Sequence, residues 1–204
     1  ASRAILEMPQ TQKKLLDAIQ KTGKPIVMVL FTGRPLALQS EEKQVNAILN
    51  VWFGGTEAGA AIADVLTGKV SPTGKLTMSF PRVTGQCPIY YNHKMTGRPM
   101  SPDAWYTRYV SNYIDVLNEP LYPFGYGLSY TTYTYGDVSL NMNSMDANGK
   151  IQASVIVTNT GAQDGEEIVQ LYLRDIVRSI TPPVQELKGF KRVALKAGES
   201  KKVT

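Results

Sequence analysis

The chain has 204 residues and a net charge of +5, with its basic residues dispersed along the sequence. A nucleic-acid-binding protein concentrates basic residues on one face or stripe, so this dispersal argues against nucleic acid as a partner. No apolar run reaches the roughly 18 residues that a transmembrane helix requires, so we predict no membrane association. Thiolate and imidazole ligands could come only from Cys87 and His93, which are too few for a zinc site.

The first 80 residues alternate helical and strand patterns. Leu15, Leu16 and Ile19 recur at helical spacing. Residues 25–31 (PIVMVLF) form an unbroken apolar run, which is typical of a strand covered on both faces in a parallel sheet. In chain order, the predicted elements are a helix over 9–21, strands over 25–31 and 47–53, a helix over 56–66 and a strand over 75–80. This order predicts an α/β layer fold, an α/β sandwich with a mainly parallel sheet.

The pattern changes after residue 80. Residues 81–118 are irregular and contain prolines and aromatic side chains, which is typical of a functional or wrapping segment. From Tyr130 onward the helical spacing disappears and short strand-like segments follow. The predicted strands cover residues 131–140, 151–159, 167–175, 187–195 and 201–204. Such evenly spaced strands with polar turns predict an antiparallel β-sandwich, which we expect to be truncated because the chain stops within its last strand.

Residues 121–135 (LYPFGYGLSYTTYTY) lie where these two patterns meet. The segment combines dense aromatic side chains with Pro123, Gly125 and Gly127. Glycine lets a backbone run close to its neighbours, while large rings fill space. We therefore expect this segment to join two domains, with its rings in the space between them. A core strand of one domain is the alternative.

Four segments of the chain resemble blocks of one enzyme family, in that family's order. They are residues 24–36 (KPIVMVLFTGRPL), 52–81 (WFGGTEAGAAIADVLTGKVSPTGKLTMSFP), 121–133 (LYPFGYGLSYTTY) and 184–204 (VQELKGFKRVALKAGESKKVT). On these blocks the chain resembles the bacterial periplasmic β-glucosidase branch of glycoside hydrolase family 3. The resemblance implies a carboxy-terminal α/β sandwich domain over residues 1–128, without its amino-terminal part, and a truncated fibronectin type III-like domain over 129–204. It also implies a (β/α)₈-like barrel domain of the same protein as a partner outside this chain.

The same resemblance implies a retaining exo-β-glucosidase whose two catalytic carboxylates lie outside this chain. The family's nucleophile is an aspartate of the barrel. Its acid/base is a glutamate a few residues before a Ser-Arg pair, which Ser2-Arg3 matches, ahead of a run that residues 6–9 (LEMP) match. The acid/base is therefore expected upstream of Ala1, and Glu7 is interpreted as a surface residue. We expect no catalytic residue, metal or cofactor in the chain, and no activity from the chain alone.

Four residues are candidates for contact with a β-linked oligosaccharide or glycoside substrate. Arg34 follows the first predicted strand, where open α/β sheets bind ligands, although it could instead anchor the following loop through a salt bridge. Trp52 could stack on a sugar ring or pack in the core, and Glu57 could bind substrate or favour a helix start. Arg108 lies in the irregular segment within WYTRY (residues 105–109), and loops of this kind carry binding residues more often than strands do.

Two functions are compatible with these features. The family resemblance implies a periplasmic or secreted hydrolase of β-glucosides. The alternative is a non-catalytic carbohydrate-binding or spacer module, in which the fibronectin-like half would contact glycan. No Gly-x-Gly-x-x-Gly turn follows a predicted strand, so we expect no nucleotide cofactor.

Overall fold

A computed structural model describes residues 3–100 and 107–204. In that part of the chain the helices are α1 (Gln10–Gln20) and α2 (Ala58–Leu66), with short 3₁₀ turns at Glu42–Gln44 and Thr84–Gln86. The strands are β1 (Val27–Leu30), β2 (Ala47–Asn50), β3 (Tyr133–Tyr135), β4 (Ser139–Leu140), β5 (Ala153–Asn159), β6 (Gly165–Leu173), β7 (Glu186–Leu195) and β8 (Ser200–Val203).

The described residues form two compact units by their contacts. The first unit takes in the described residues up to Ile62 and within Leu76–Tyr126, together with Arg174–Glu186. The second unit takes in Ala63–Lys75, Gly127–Leu173 and Leu187–Thr204. The expected domain boundary between residues 128 and 129 stays a prediction.

The first unit is built around the parallel strands β1 and β2. Val27 lies beside Ala47, and Leu30 lies beside Asn50, in an unbroken parallel register. The core of this unit consists of the buried side chains of Leu30, Leu38 and Phe80. Met28 and Ile48 add to this core, so one face of the strand pair packs inward. Helix α1 precedes β1 and helix α2 follows β2, which confirms the predicted α/β arrangement with parallel strands.

The strand predicted over residues 75–80 is wrong. Phe80 forms only an isolated antiparallel bridge with Tyr122. Further along, the N–H of Leu76 donates to the carbonyl of Tyr126 at 2.8 Å, so two paired points are separated by a gap. Pro123 lies in the opposite segment and has no N–H to donate, so the two segments do not form a continuous ladder. The alternating segment therefore forms one isolated bridge and separate hydrogen bonds instead of a strand.

The aromatic segment around residue 122 makes its described ring contacts inside the first unit. Tyr122 packs edge-on against Phe80, with ring centroids 6.2 Å apart, and stacks on Tyr126 at 5.4 Å. Phe124 stacks on Tyr91, with ring centroids 4.2 Å apart. The division between the units falls directly after Tyr126. That these rings fill a space between two domains remains a prediction.

The second unit is an antiparallel β-sandwich, as predicted. Strand β5 pairs in antiparallel fashion with β3, β4 and β8. Strands β6 and β7 form a separate sheet. The buried core contains Val157 of β5, Val169 of β6, Val193 and Leu195 of β7, and Val203 of β8. Because both sheets contribute to one core, they pack face to face.

The alternation of β5 follows the expected faces. Val157 is fully buried, whereas its neighbour Ile156 is 54% exposed. Asn159 ends the strand with its amide fully bonded: its Oδ1 accepts from the hydroxyl of Thr131 at 2.6 Å, and its Nδ2 donates to the carbonyl of Gln163 at 2.7 Å. This buried polar residue at a strand end is therefore satisfied partly by Thr131 and partly by the turn that follows it.

A partly buried ion pair is enclosed in the second unit. The Nζ of Lys75 lies 3.1 Å from Oε2 of Glu167, with 15% and 11% of the two side chains exposed. The hydroxyl of Tyr135 donates to Oε1 of Glu167 at 2.9 Å, and Lys75 also donates to the carbonyl of Gly127 at 2.8 Å. Burial, and then the hydrogen bond to Glu167, raise the pKa of the Tyr135 hydroxyl, so it remains a donor at neutral pH. Removing only one partner would leave a buried charge without its counter-charge, which would destabilise the unit.

Gly127 lies too close to another backbone segment to carry a side chain. A methyl group at this position would overlap the backbone carbonyl oxygen of Gly74. We expect Gly127→Ala to lower the free energy of unfolding by about 2 kcal/mol, because a backbone atom must move to admit the side chain. The measurement is the denaturant midpoint of the 204-residue chain.

The matched control is Gly189→Ala in β7, where an added methyl group meets no atom within 4 Å. We expect this control to change the free energy of unfolding by less than about 0.5 kcal/mol. Equal effects of the two substitutions would contradict the close approach of Gly127 to Gly74.

Candidate functional site

The carboxyl ends of β1 and β2 lie side by side and are extended by two loops. Leu30 and Asn50 are register partners at these ends. A methyl group built on Gly33 would lie 2.7 Å from Cζ of Phe53, so the loop after β1 touches the loop after β2. A side chain at position 33 would require the exposed ring of Phe53 to turn aside. In open α/β sheets this edge is where ligands bind, so the two loops form a candidate site.

Arg34 is held within the loop that follows β1. Its Nη1 donates to the backbone carbonyl of Arg3 at 3.1 Å. The hydroxyl of Thr32 donates to the carbonyl of Arg34 at 2.6 Å, which tightens the same loop. Arg34 therefore anchors its loop through a backbone carbonyl of the amino-terminal segment, and not through the salt bridge that was the alternative. A guanidinium carries five N–H donors, so this contact leaves donors for a ligand.

Trp52 adopts an unusual backbone conformation in the loop after β2. Its φ of 49° lies in the left-handed region, which costs a non-glycine residue of order 1–3 kcal/mol. The half-buried indole packs against Phe80 with ring centroids 5.8 Å apart, and it belongs to the periphery of the first unit's core. Core packing therefore holds a strained residue at the edge of the sheet. Strain of this kind is often kept where a side chain has a function.

Glu57 and Arg108 are both exposed. Glu57 directly precedes α2, and its carbonyl accepts the N–H of Ala61 at 3.1 Å, so its backbone belongs to the helix start. Arg108 precedes Tyr109, which has a φ of 64° and is 80% exposed. Trp52 and Tyr109 are the non-glycine residues with a left-handed φ among residues 3–100 and 107–204.

The four candidates are only partly brought together. Arg34 and Trp52 share the carboxyl edge through the paired strands, and Glu57 follows Trp52 on the same loop. Arg108 belongs to the irregular segment, with no described contact to the other three. Trp105 and Tyr106, which flank it in the sequence, lie outside the described residues, as does Ser2 of the Ser-Arg match.

Asn50 is a polar residue at this edge that the sequence reading missed. Its Oδ1 and Nδ2 are both buried and have no hydrogen-bond partner within the described part of the chain. A buried polar group without a partner costs about 1–3 kcal/mol, so the amide of Asn50 is expected to destabilise the isolated chain. The available signal was the single amide inside the apolar run AILNVWF (residues 47–53).

Glu7 is an exposed residue, as expected, and it is paired with a lysine. Lys13 lies between two carboxylates, with its Nζ 2.6 Å from Glu7 and 3.4 Å from the buried Glu41. The hydrogen bond from Lys13 lowers the pKa of Glu7. A general acid in a glycosidase needs a raised pKa, so the shift at Glu7 has the wrong direction for a proton donor. The hydrogen bond from Lys13 thus makes Glu7 unsuitable as the proton donor of a glycosidase.

These charged groups border an open cavity of about 470 Å³ in the first unit. Its polar lining includes Glu7, Lys13, Gln39, Lys43 and Arg82. In the described ranges, no three His, Cys, Asp or Glu side chains are grouped as metal ligands. No helix among those residues has the length and apolarity needed to cross a membrane.

Comparison with known proteins identifies both units. Residues 1–130 match the glycosyl hydrolase family 3 C-terminal domain, and residues 167–204 match a fibronectin type III-like domain. The chain is 53% identical to the periplasmic β-glucosidase of Salmonella typhimurium, over 100% of this chain and 26% of that protein. It is 46% identical to a β-xylosidase of Formosa agariphila, over 99% of this chain and 27% of that protein. A crystal structure of the β-glucosidase of Listeria innocua in complex with glucose has a TM-score of 0.94 at 46% identity, over 99% of this chain and 28% of that one.

The chain therefore contains an α/β domain followed by a fibronectin type III-like domain, as the sequence predicted. The chain belongs to glycosyl hydrolase family 3. It spans about a quarter of the length of the curated relatives it matches.

Asn50 can be tested by replacing its amide with an apolar group of similar size. We expect Asn50→Leu to raise the free energy of unfolding by about 1 kcal/mol, because the substitution removes a buried amide that has no described partner. Denaturant unfolding of the 204-residue chain measures the change.

Asn159→Leu is the control, because Asn159 also ends a strand but its amide is bonded on both sides. We expect this control to lower the free energy of unfolding by about 3 kcal/mol, since several partners lose their bonds. A loss of more than 1 kcal/mol for Asn50→Leu would mean that its amide is already satisfied.

Proposed function

We propose that this chain is the carboxy-terminal part of a retaining exo-acting β-glucosidase. The parent enzyme would hydrolyse terminal β-D-glucosyl residues of oligosaccharides or glycosides. The observation that supports this most strongly is the 53% identity to the Salmonella periplasmic β-glucosidase over the entire chain. The Listeria enzyme, whose structure contains glucose, adds support for glucose over xylose. The β-xylosidase relatives make a xyloside the substrate to compare first.

The proposed reaction divides its chemical roles between this chain and the rest of the protein. Retention requires a carboxylate nucleophile and a carboxylic acid about 5–5.5 Å apart, on either side of the anomeric carbon. Neither group is assigned to this chain: the nucleophilic aspartate belongs to a barrel domain, and the acid/base glutamate lies upstream of Ala1. The direction of the pKa shift at Glu7 supports leaving it out of this role. The partners are thus the glycoside substrate and the amino-terminal barrel of the same protein.

The role of this chain would be to bind and orient the sugar. Arg34 has guanidinium donors left beside its bond to the Arg3 carbonyl, so it can donate to sugar hydroxyls. The indole of Trp52 is only half-buried and can present its remaining face to a sugar ring. Glu57 can accept hydrogen bonds from hydroxyls, and Arg108 can donate to the sugar on the leaving-group side. No step of this proposal requires a metal or an organic cofactor.

We place the parent enzyme in the periplasm or outside the cell, because the Salmonella relative is periplasmic. The domain bounds proposed for this chain are 1–128 for the α/β domain and 129–204 for the fibronectin-like domain. The family match over residues 1–130 supports this boundary.

A carbohydrate-binding or spacer module is the second candidate. The rings of Phe53 and Tyr109 favour it, because they are 87% and 80% exposed and aromatic faces bind sugars without catalysis. A module of this kind would bind β-linked glucose oligomers as an isolated chain. A catalytic part would need the remaining domains before it binds its substrate.

The activity of the isolated chain separates these functions. We expect the 204-residue chain to hydrolyse an aryl β-glucoside no faster than buffer, and to show no binding of cellobiose by calorimetry. The full-length parent should hydrolyse the same aryl β-glucoside with retention of configuration, because only the parent contains both carboxylates. Turnover by the isolated chain would overturn the division of roles, and binding without turnover by either protein would favour the module.

Arg108 can be tested in the full-length parent. We expect Arg108→Ala to lower kcat/KM for cellobiose by roughly 10- to 100-fold, which corresponds to the loss of a charge-assisted hydrogen bond of about 1.5–3 kcal/mol. Hydrolysis of an aryl β-glucoside should fall less, because its leaving group has no sugar hydroxyls. Arg192→Ala provides the control, since Arg192 is an exposed arginine of the second unit paired with Glu166. Equal losses on both substrates would contradict a role on the leaving-group side.

A further inference from the structure

Three segments of the first unit form the walls of the open cavity that Lys13 borders. They are α1 with the residues that lead into it, the loop between β1 and β2, and the residues after Phe80. The N–H of Ala37 donates to the carbonyl of Leu6 at 2.9 Å, and the N–H of Leu6 donates to the hydroxyl of Thr84 at 3.4 Å. Hydrogen bonds between its walls therefore hold the cavity in shape.

The lining of this cavity carries an excess of positive charge. Lys13, Lys43 and Arg82 line it together with one carboxylate, that of Glu7. The Nζ of Lys13 lies 2.6 Å from Glu7 and 3.4 Å from Glu41, whose carboxylate is buried. Even when Glu41 is counted, three cations stand against two carboxylates, which leaves a net charge of +1.

Two of these cations have no described acidic partner. Lys43 is exposed and Arg82 is half-buried, and neither forms an ion pair within the described residues. The Nε of Arg82 donates to the backbone carbonyl of Glu119 at 3.1 Å, which orients the guanidinium and leaves its Nη groups for another acceptor. Positively charged N–H donors form their strongest hydrogen bonds with anionic oxygens, so this side of the cavity favours an anion.

Gln39 supplies a hydrogen-bond acceptor on the same lining. Its Oε1 is buried and has no hydrogen-bond partner among residues 3–100 and 107–204. Buried polar atoms of folded proteins are nearly always bonded, so this oxygen requires a donor that enters the cavity. Lys43 and Arg82 need acceptors, whereas Gln39 needs a donor. A ligand that satisfies all three side chains carries an anionic group and at least one hydroxyl.

We propose that this cavity, defined by Gln39, Lys43 and Arg82, is a binding site for a small hydroxylated anion, either a sugar phosphate or a sugar acid. The anionic group accepts hydrogen bonds from Lys43 and Arg82, and a hydroxyl donates to Oε1 of Gln39. The cavity volume of about 470 Å³ lies within the range of roughly 300–1,000 Å³ that is typical of small-molecule sites. None of the four candidates for substrate contact is among the described lining residues, so this inference does not rest on the proposed function.

Calorimetric titration of the 204-residue chain and of the full-length parent tests the proposal with four probes. Glucose 6-phosphate and glucuronate carry both an anionic group and hydroxyls, whereas glucose lacks the charge and sulfate lacks the hydroxyls. We expect at least one of the first two probes to bind with a Kd of about 1 mM or below, and glucose and sulfate to bind at least about 10-fold more weakly. Tighter binding of glucose 6-phosphate assigns a sugar phosphate, and tighter binding of glucuronate assigns a sugar acid.

Three results of these titrations would overturn the proposal. In the first, neither glucose 6-phosphate nor glucuronate binds. In the second, glucose binds as tightly as they do, which means a site for neutral sugar, or sulfate does, which means an adventitious ion only. In the third, the parent does not bind the probe that the isolated chain binds, which means that other domains cover the cavity. Binding is measured without turnover, so the result is independent of the proposed reaction.

Charge-changing variants locate the anionic group of the bound probe. We expect Lys43→Gln and Arg82→Gln each to raise its Kd at least about 5-fold, because each removes a charge-assisted donor. Glu7→Gln should lower the Kd by about 2- to 5-fold, since it removes the carboxylate of the lining. Lys14→Gln is the matched control, because Lys14 is an exposed lysine of α1 outside the lining, and the Kd should change less than about 2-fold. Equal effects of Lys14→Gln and Lys43→Gln would contradict binding in the cavity.

Gln39→Met locates the hydroxyl of the bound probe. Methionine has a similar length but no side-chain oxygen, so we expect the Kd of the sugar anion to rise at least about 5-fold and that of sulfate to change less than about 2-fold. Thermal unfolding without probe should give every variant a Tm within about 3 °C of the unchanged chain, which shows that each is folded. A Gln39→Met variant that binds the sugar anion as tightly as the unchanged chain would overturn the site as defined.

Discussion

The ring of Phe80 is the contact on which the first unit depends. It is 2% exposed and packs against both Trp52 and Tyr122. Its backbone N–H donates to Tyr122, and its carbonyl accepts from Leu121. One residue therefore joins the loop after β2 to the aromatic segment that closes this unit. Trp52 has a left-handed backbone conformation, which is unfavourable for a non-glycine residue. Its packing against Phe80 holds the indole in place.

Two further contacts shape the candidate ligand edge of the first unit. The loops after β1 and β2 are pressed together at Gly33 and Phe53, and the guanidinium of Arg34 ties one of them to the segment at Arg3. In the same unit, the hydrogen bond from Lys13 lowers the pKa of the Glu7 carboxyl.

The outcomes at individual residues show which kinds of pattern were informative. Residues 25–31 are predicted as a strand covered on both faces because every side chain is apolar. Strand β1 does lie within them, but Val27 and Phe31 are 51% and 66% exposed, so cover on both faces is not observed. Residues 75–80 alternate between apolar and polar side chains, but their pairing is interrupted where Pro123 lies opposite. The position of Pro123 relative to this segment cannot be read from residues 75–80 themselves. Asn50 could not be singled out from the sequence, because its amide is notable only for being buried without a described hydrogen-bond partner.

The sequence by itself determined the two helices, the two parallel strands, the change to antiparallel strands after Tyr130, and the family. These depend on local periodicity and on motifs, which are written in neighbouring residues. The sequence did not determine that residues 75–80 form no strand, or that the strand predicted over residues 131–140 is two short strands, β3 and β4. Only the tertiary structure decided that Arg34 bonds to a backbone carbonyl, that Trp52 is strained against Phe80, and that one side of β1 is uncovered. The physical reason is that hydrogen-bond partners, burial and strain arise between residues far apart in the chain, such as the 31 positions that separate Arg3 from Arg34.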